Sequence, residues 1–292
     1  MTAIIVHGGA GAIEPERHAR LREGVRLAAS AGDAILAAGG PALDAVVAAV
    51  RVLEDDPEFN AGRGSALTRD GTVETDASIM CGATHRVGAV AAVPDLGNPI
   101  ALARAVLDAN EHAILAGPAA WRFAAEVGIV AAPPGSLVTE RARARLAAKL
   151  ASRSGGTVGA VARDREGRFA AATSTGGITG KRAGRVGDSP VPGAGTWADG
   201  TLALSATGDG EAILRVALTR SIAARGGELR AAIIAELREL ARITGGSAGV
   251  IGVDRAGVIG VQISPAMPIA WIERSRIGDS LGYEIGVRGL PT

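Results

Sequence analysis

The sequence contains one cysteine, Cys81, in 292 residues, so no intrachain disulfide can staple it and no cysteine-based zinc site can form. A reducing, cytoplasmic setting is the expectation. Aromatic residues are scarce, at 2% against 47% apolar residues overall. Ala, Val, Ile and Leu must therefore fill the core, packed closely with 42 glycines. An excess of either charge is also missing: 31 Lys and Arg face 30 Asp and Glu. Nothing pulls such a chain toward nucleic acid or an anionic membrane, which leaves a small molecule as the expected partner. Apolar stretches such as Leu43–Leu53 are cut by Asp44 and Arg51, well short of the roughly 20 residues that cross a bilayer. The opening Met1–Gly9 has no basic stretch ahead of a long apolar one and reads as a strand entering a glycine turn, so secretion is not expected. The four histidines, His7, His18, His85 and His112, form no recognisable Ser/His/Asp set, which disfavours a Ser–His hydrolase.

Helical spacing of apolar residues predicts helices over Ala19–Ala38, Ala42–Leu53, Pro99–Asn110, Gly117–Glu126, Gly210–Arg225 and Gly227–Ile243. Short β-branched or alternating runs predict strands at Thr72–Met80, Arg86–Val93, Thr157–Asp164, Phe169–Thr173, Leu202–Thr207, Ala248–Val253 and Val258–Ile263. Strands and helix pairs in both halves fit an α+β sandwich of sheets between helices. Glu140–Arg153, dense in Arg, Lys and Ala and followed by Ser154-Gly155-Gly156, reads as a linker or an exposed helix with a flexible end.

Behind that segment, Thr157 opens a strand. On its own it is an ordinary strand threonine. Four polar, glycine-rich turns follow: Ala172–Gly177, Gly184–Pro190, Pro192–Gly195 and Ala206–Glu211. Glycines let backbone N–H groups approach a ligand, and the interleaved Thr, Arg and Asp supply hydroxyl, cationic and anionic contacts. Any one of these turns would be plain punctuation between strands.

Taken in order, with the His7–Gly11 opening, Phe59–Gly64, Glu74–Met80 and Gly246–Gly249, these segments resemble the isoaspartyl peptidase/L-asparaginase family of N-terminal nucleophile hydrolases. The resemblance covers nearly the whole chain. It implies one domain, residues 1–292, with a four-layer αββα sandwich of two antiparallel sheets. It further implies self-cleavage before Thr157 into chains 1–156 and 157–292, with a flexible linker over about 135–156. A freed α-amino group, whose reference pKa is about 7.7–8.0, can act as base for its own side-chain hydroxyl, so no histidine is required. Gly156 supplies the attacked carbonyl, and the turn at Gly8, Gly9 and Gly11 lies against it. Thr175 matches the threonine that orients the nucleophile, Thr207 and Gly208 the oxyanion hole, and Asn60 a supporting amide. Arg185 and Asp188 match the pair that grips the α-carboxylate and α-ammonium of a zwitterion such as L-asparagine or a β-aspartyl dipeptide, with Gly210 a further backbone contact. No cofactor is expected for catalysis. The backbone carbonyls of Leu53, Glu54, Asp56, Phe59, Ala61 and Arg63 match a structural sodium loop. A homodimer of αβ units is implied.

Two departures from the family pattern are the short, arginine-rich segment before Thr157 and the bulky Trp197 expected at the pocket lip. Two other readings remain at this point. One is a glycosylasparaginase-like amidase, which the expected lack of a leader disfavours; the other is an uncleaved, inactive relative that binds a small metabolite.

Overall fold

The computed structural model describes residues 1–148 and 156–282. Twelve strands and eight helices among them form four layers. The larger sheet holds β1 (Ala3–His7), β2 (Glu74–Cys81), β3 (Val87–Pro94), β4 (Ile114–Ala116), β5 (Val158–Arg163), β6 (Phe169–Thr175), β11 (Ile269–Glu273) and β12 (Arg276–Ser280), in the order β12-β11-β1-β5-β6-β2-β3-β4. The smaller one holds β7 (Thr196–Ala198), β8 (Ala203–Gly208), β9 (Ala248–Val253) and β10 (Val258–Gln262), in the order β10-β9-β8-β7. Helices α1 (His18–Ala37), α2 (Ala42–Asp55) and α3 (Pro99–Ala109) cover the larger sheet. Helices α6 (Gly210–Val216), α7 (Leu218–Arg225) and α8 (Leu229–Thr244) cover the smaller. This is the expected αββα sandwich, with one correction: β4 runs parallel to β3, because α3 carries the chain over from the end of one to the start of the other.

Strand parity sorts the core. On β1, Ile4 and Val6 join the helix-side cluster while Ala3 and Ile5 join the cluster between the sheets; on β5, Val158, Ala160 and Ala162 point to the helices and Val161 to the opposite sheet. The inter-sheet space is apolar at one end. At the other it is crossed by a seam of buried polar side chains drawn alternately from both sheets, Ser78, Thr196, Thr173, Ser205 and His7, at successive separations of 2.7, 2.6, 2.8 and 2.9 Å. The sheets meet closely there, since a Cβ on Gly159 would lie 2.1 Å from the Ser205 hydroxyl oxygen.

Where the structure departs from the expected elements, a tertiary contact or an unmarked turn is the cause. The predicted Gly210–Arg225 helix is broken at Ala217, which adopts the left-handed conformation (φ 47°, ψ 54°). The break lets the first turn of α7 give the N–H groups of Thr219 and Arg220 to the carbonyls of Ala194 and Gly193. β4, β7 and the β11–β12 hairpin were not predicted. The hairpin turns through Arg274 and Ser275, both at positive φ, without the Asn or Gly that usually marks such a turn. The expected linker is in part a docked helix, α5 (Glu140–Ala148), held where Leu137 and Ala142 pack with Leu67 and Val73. The rest of it, residues 149–155, lies outside the described residues. Among the described residues no helix is long and apolar enough to cross a membrane.

Close packing of the sheets makes Gly159 sensitive. Gly159→Ala should cost about 1–3 kcal/mol of stability through overpacking, read as a lower urea midpoint with an unchanged slope.

Candidate active site

The register that sets Val158 opposite Ser174 places Thr157 across from Thr175 at the end of the β5–β6 pair. Thr207, next to last in β8, lies on the face turned toward them, since Ala203 of the same parity lies in the inter-sheet cluster. All three threonines are buried. Thr157 donates its hydroxyl to Thr175 Oγ1 at 3.3 Å, a long contact for two hydroxyls, and Thr175 donates to the Gly156 carbonyl at 2.8 Å while accepting the Gly177 N–H at 2.9 Å. The one proton and two lone pairs of Thr175 are thus all committed. Asn60 Nδ2 donates to the same Gly156 carbonyl at 2.5 Å and to Gly177 O at 2.7 Å; its Oδ1 accepts from the Ala66 N–H at 2.6 Å, which fixes the amide orientation.

Gly9 packs against this point. With φ at +105°, it sits so that a Cβ would meet the N and O of Thr157 at 3.3 Å, and the next residue, Ala10, donates its N–H to Thr207 Oγ1 at 3.2 Å. Gly156 itself has space for a side chain, because a Cβ there would touch only the Asn60 Cβ at 3.6 Å. Its being glycine is not a steric requirement of the described structure.

Thr157, Thr175, Arg185, Asp188, Gly208 and Gly210 line one cleft together with Gly156, Gly177 and Ile178, and its volume is only about 10 Å³, space for about one water. Asn60 and Thr207 stand behind its wall. Asp188 is buried, burial pushes its carboxyl up to about 7, and among the described residues its Oδ2 has no hydrogen-bond partner. The expected pairing of Arg185 with Asp188 is not direct: Arg185 forks onto Glu211, Nε to Oε1 at 3.0 Å and Nη2 to Oε2 at 2.6 Å. Gly210 lies between the two groups, since a Cβ on it would sit 2.7 Å from Asp188 Oδ1 and 3.0 Å from Arg185 Nη2. Any side chain at 210 would fill the cleft.

The sequence reading assigned no role to Glu211, although it lies in the last of the glycine-rich turns. It also gave none to Asp76 and Lys181, a buried pair of opposite charge close enough to shift each other, on which Arg185 acts as well. Burial raises the Asp76 carboxyl, and Lys181 anchors its ammonium on the Glu74 carbonyl at 2.8 Å. Trp197 does not line the cleft. It lies on β7 under the Arg220 guanidinium, with its indole N–H on Asp199 Oδ2 at 3.0 Å. His7 does meet a serine, Nε2 to Ser205 Oγ at 2.9 Å, but both are buried, Nδ1 has no partner among the described residues, and burial lowers the imidazole to about 3. No catalytic triad results.

In the loop after α2, Pro57 has no N–H to offer the Leu53 carbonyl, and Glu58 gives its N–H to Asp56 Oδ1 at 3.0 Å rather than to Glu54. Two carbonyls at the negative end of α2 are thereby released, a donor set that fits a hard monovalent cation. The carbonyls of Asp56 and Ala61 already accept the N–H groups of Phe59 and Gly64 with one lone pair each.

Comparison with known proteins adds three relatives, each named isoaspartyl peptidase/L-asparaginase. The Bos taurus protein is 44% identical over 295 residues, covering 96% of each chain. The Rattus norvegicus protein is 42% identical over 305 residues, covering 99% of this chain and 92% of its own. The Homo sapiens protein is 50% identical over 228 residues, covering 74% of each. A family model described as asparaginase matches residues 1–281, and the chain belongs to that asparaginase family.

Proposed function

We propose that this protein is a self-processing amidohydrolase that uses the N-terminus freed at Thr157 to cleave β-aspartyl dipeptides and L-asparagine, releasing L-aspartate. The observation that carries this reading is the Gly156 carbonyl, gripped by Asn60 and Thr175 while the Thr157 hydroxyl points to the same Thr175. In processing, Thr157 Oγ1 attacks the Gly156 carbonyl carbon. Its proton passes to Thr175 as the Thr175 proton passes to the Gly156 oxygen, then moves to the Thr157 nitrogen as the C–N bond breaks. Water hydrolyses the resulting ester, leaving a Gly156 carboxylate and a free Thr157 amine.

In turnover that amine takes the hydroxyl proton and Oγ1 attacks the substrate's side-chain carbonyl. Thr207 and the Gly208 N–H receive the developing oxyanion. Buried Asp188, lacking a partner on Oδ2, suits an α-ammonium, and Arg185, drawn from Glu211, takes the α-carboxylate. The relatives' shared name supports the same substrate class. The carbonyls of Leu53, Glu54, Asp56, Phe59, Ala61 and Arg63 would hold a sodium ion that braces the loop carrying Asn60. Two such units would pair as a homodimer in the cytoplasm.

Incubation followed by N-terminal sequencing should reveal a fragment beginning at Thr157, absent from Thr157→Ala. An intact wild type without turnover would favour the inactive binding relative instead. Asn60→Ala should slow processing by about 10²–10³, the usual loss for one donor to a developing oxyanion, as followed by intact mass. Asp188 must be ionised to hold an ammonium, and it protonates below about 7. The Ki of the product L-aspartate should therefore rise toward tenfold per pH unit below that point, and flatten in Asp188→Asn.

A further inference from the structure

On the other side of Gly156 lies a second cavity of about 320 Å³, whose walls include Gly9, Asn60, Glu58, Arg141 and Arg145. Gly156 lines both this cavity and the cleft with Thr157, Arg185 and Asp188, so it is the partition between them. The charges here do not cancel. Arg17, Arg141 and Arg145 are opposed by Glu14 and Glu58. Glu58 Oε2 takes both Arg17 Nη2 at 2.8 Å and Arg141 Nη1 at 2.5 Å, and Glu14 reaches Arg17 Nη1 at 3.6 Å. Among the described residues Arg145 has no ion-pair partner within 4 Å. Its guanidinium is lowered by burial and by Arg17, and that of Arg141 falls to about 10 for the same reasons, with Arg145 the neighbouring cation. An anion placed there would relieve the crowding.

The proposed function fixes which anion. A zwitterion held at Asp188 and Arg185 presents its side-chain carbonyl to Thr157, and the group that leaves must extend away from that cleft. Once the bond after Gly156 is cut, the partition is tied to the chain only through Gly155 and no longer to Thr157. α5, which carries both arginines, is anchored separately through Ala142 in the cluster with Leu67 and Val73. Ammonia leaving asparagine needs no site, whereas an amino acid leaving a β-aspartyl dipeptide brings a free α-carboxylate.

We propose that the cavity behind Gly156 is the leaving-group subsite, in which Arg145, beside Arg141, receives the α-carboxylate of the departing amino acid. This rests on the reading above. The arginine-rich segment before Thr157 then becomes a determinant of dipeptide preference and not only a tether.

The test compares kcat/KM for β-aspartyl-leucine and its C-terminal amide, with L-asparagine as reference, in processed wild type, Arg145→Gln and Arg145→Lys. Intact mass verifies processing in each. Wild type should prefer the free carboxylate by about tenfold or more, the scale of a charge-assisted hydrogen bond. Arg145→Gln should erase most of that preference and Arg145→Lys restore part of it. Normal turnover with no preference in wild type, or the same preference in Arg145→Gln, would overturn the subsite alone. No turnover of any substrate by processed wild type would overturn the function and the subsite together.

Discussion

The carbonyl oxygen of Gly156 accepts hydrogen bonds from Asn60, in the loop after α2, and from Thr175, at the end of β6. Two segments more than a hundred residues apart thereby agree on the position of one atom. The Asn60 amide is held in turn by Ala66 and Gly177, and Thr175 by Gly177 and Thr157, so neither donor can move without breaking a second bond. Gly9, in the turn after β1, completes the enclosure. A partly buried peptide bond held this firmly is preorganised for attack, because the donors that would meet a developing negative charge are in place beforehand.

The neighbouring cleft has the opposite character, with the buried Asp188 carboxyl short of a partner among the described residues. A buried carboxylate with an orphan oxygen costs stability, and the raised Asp188 carboxyl expresses that cost. Arg185 is kept extended by the half-exposed Glu211, which can release it to a ligand at little expense because an exposed partner is readily rehydrated. The cleft holds about one water while Gly156 remains one of its walls. Under the proposed self-processing, cutting at Gly156 would also open the cleft.

Much of this was legible in the sequence. Glycine-rich turns in a fixed order marked the cleft, and the family resemblance they carry singled out Thr157, Thr175 and Thr207. What was not legible depends on tertiary contacts. The break at Ala217 exists because the carbonyls of Gly193 and Ala194 compete for the N–H groups of α7, and no local propensity encodes that competition. The turn at Arg274 and Ser275 carries none of the usual residues. Glu211 as the partner of Arg185 and α5 as a docked helix both depend on distances across the fold. The second cavity could not be read from the sequence, because Arg17, Glu58 and Arg145 are far apart along the chain.

The polar seam between the sheets has a consequence for how such a fold can change. His7, Ser205, Thr173, Thr196 and Ser78 each supply a link that apolar residues of the same size could not. Gly159, where the sheets nearly touch, leaves no slack for a bulkier substitute. Substitutions along this line are therefore coupled, and a swap acceptable at one position changes what is acceptable at the next. Drift should accumulate on the outer helical layers, while the seam changes only in concerted steps.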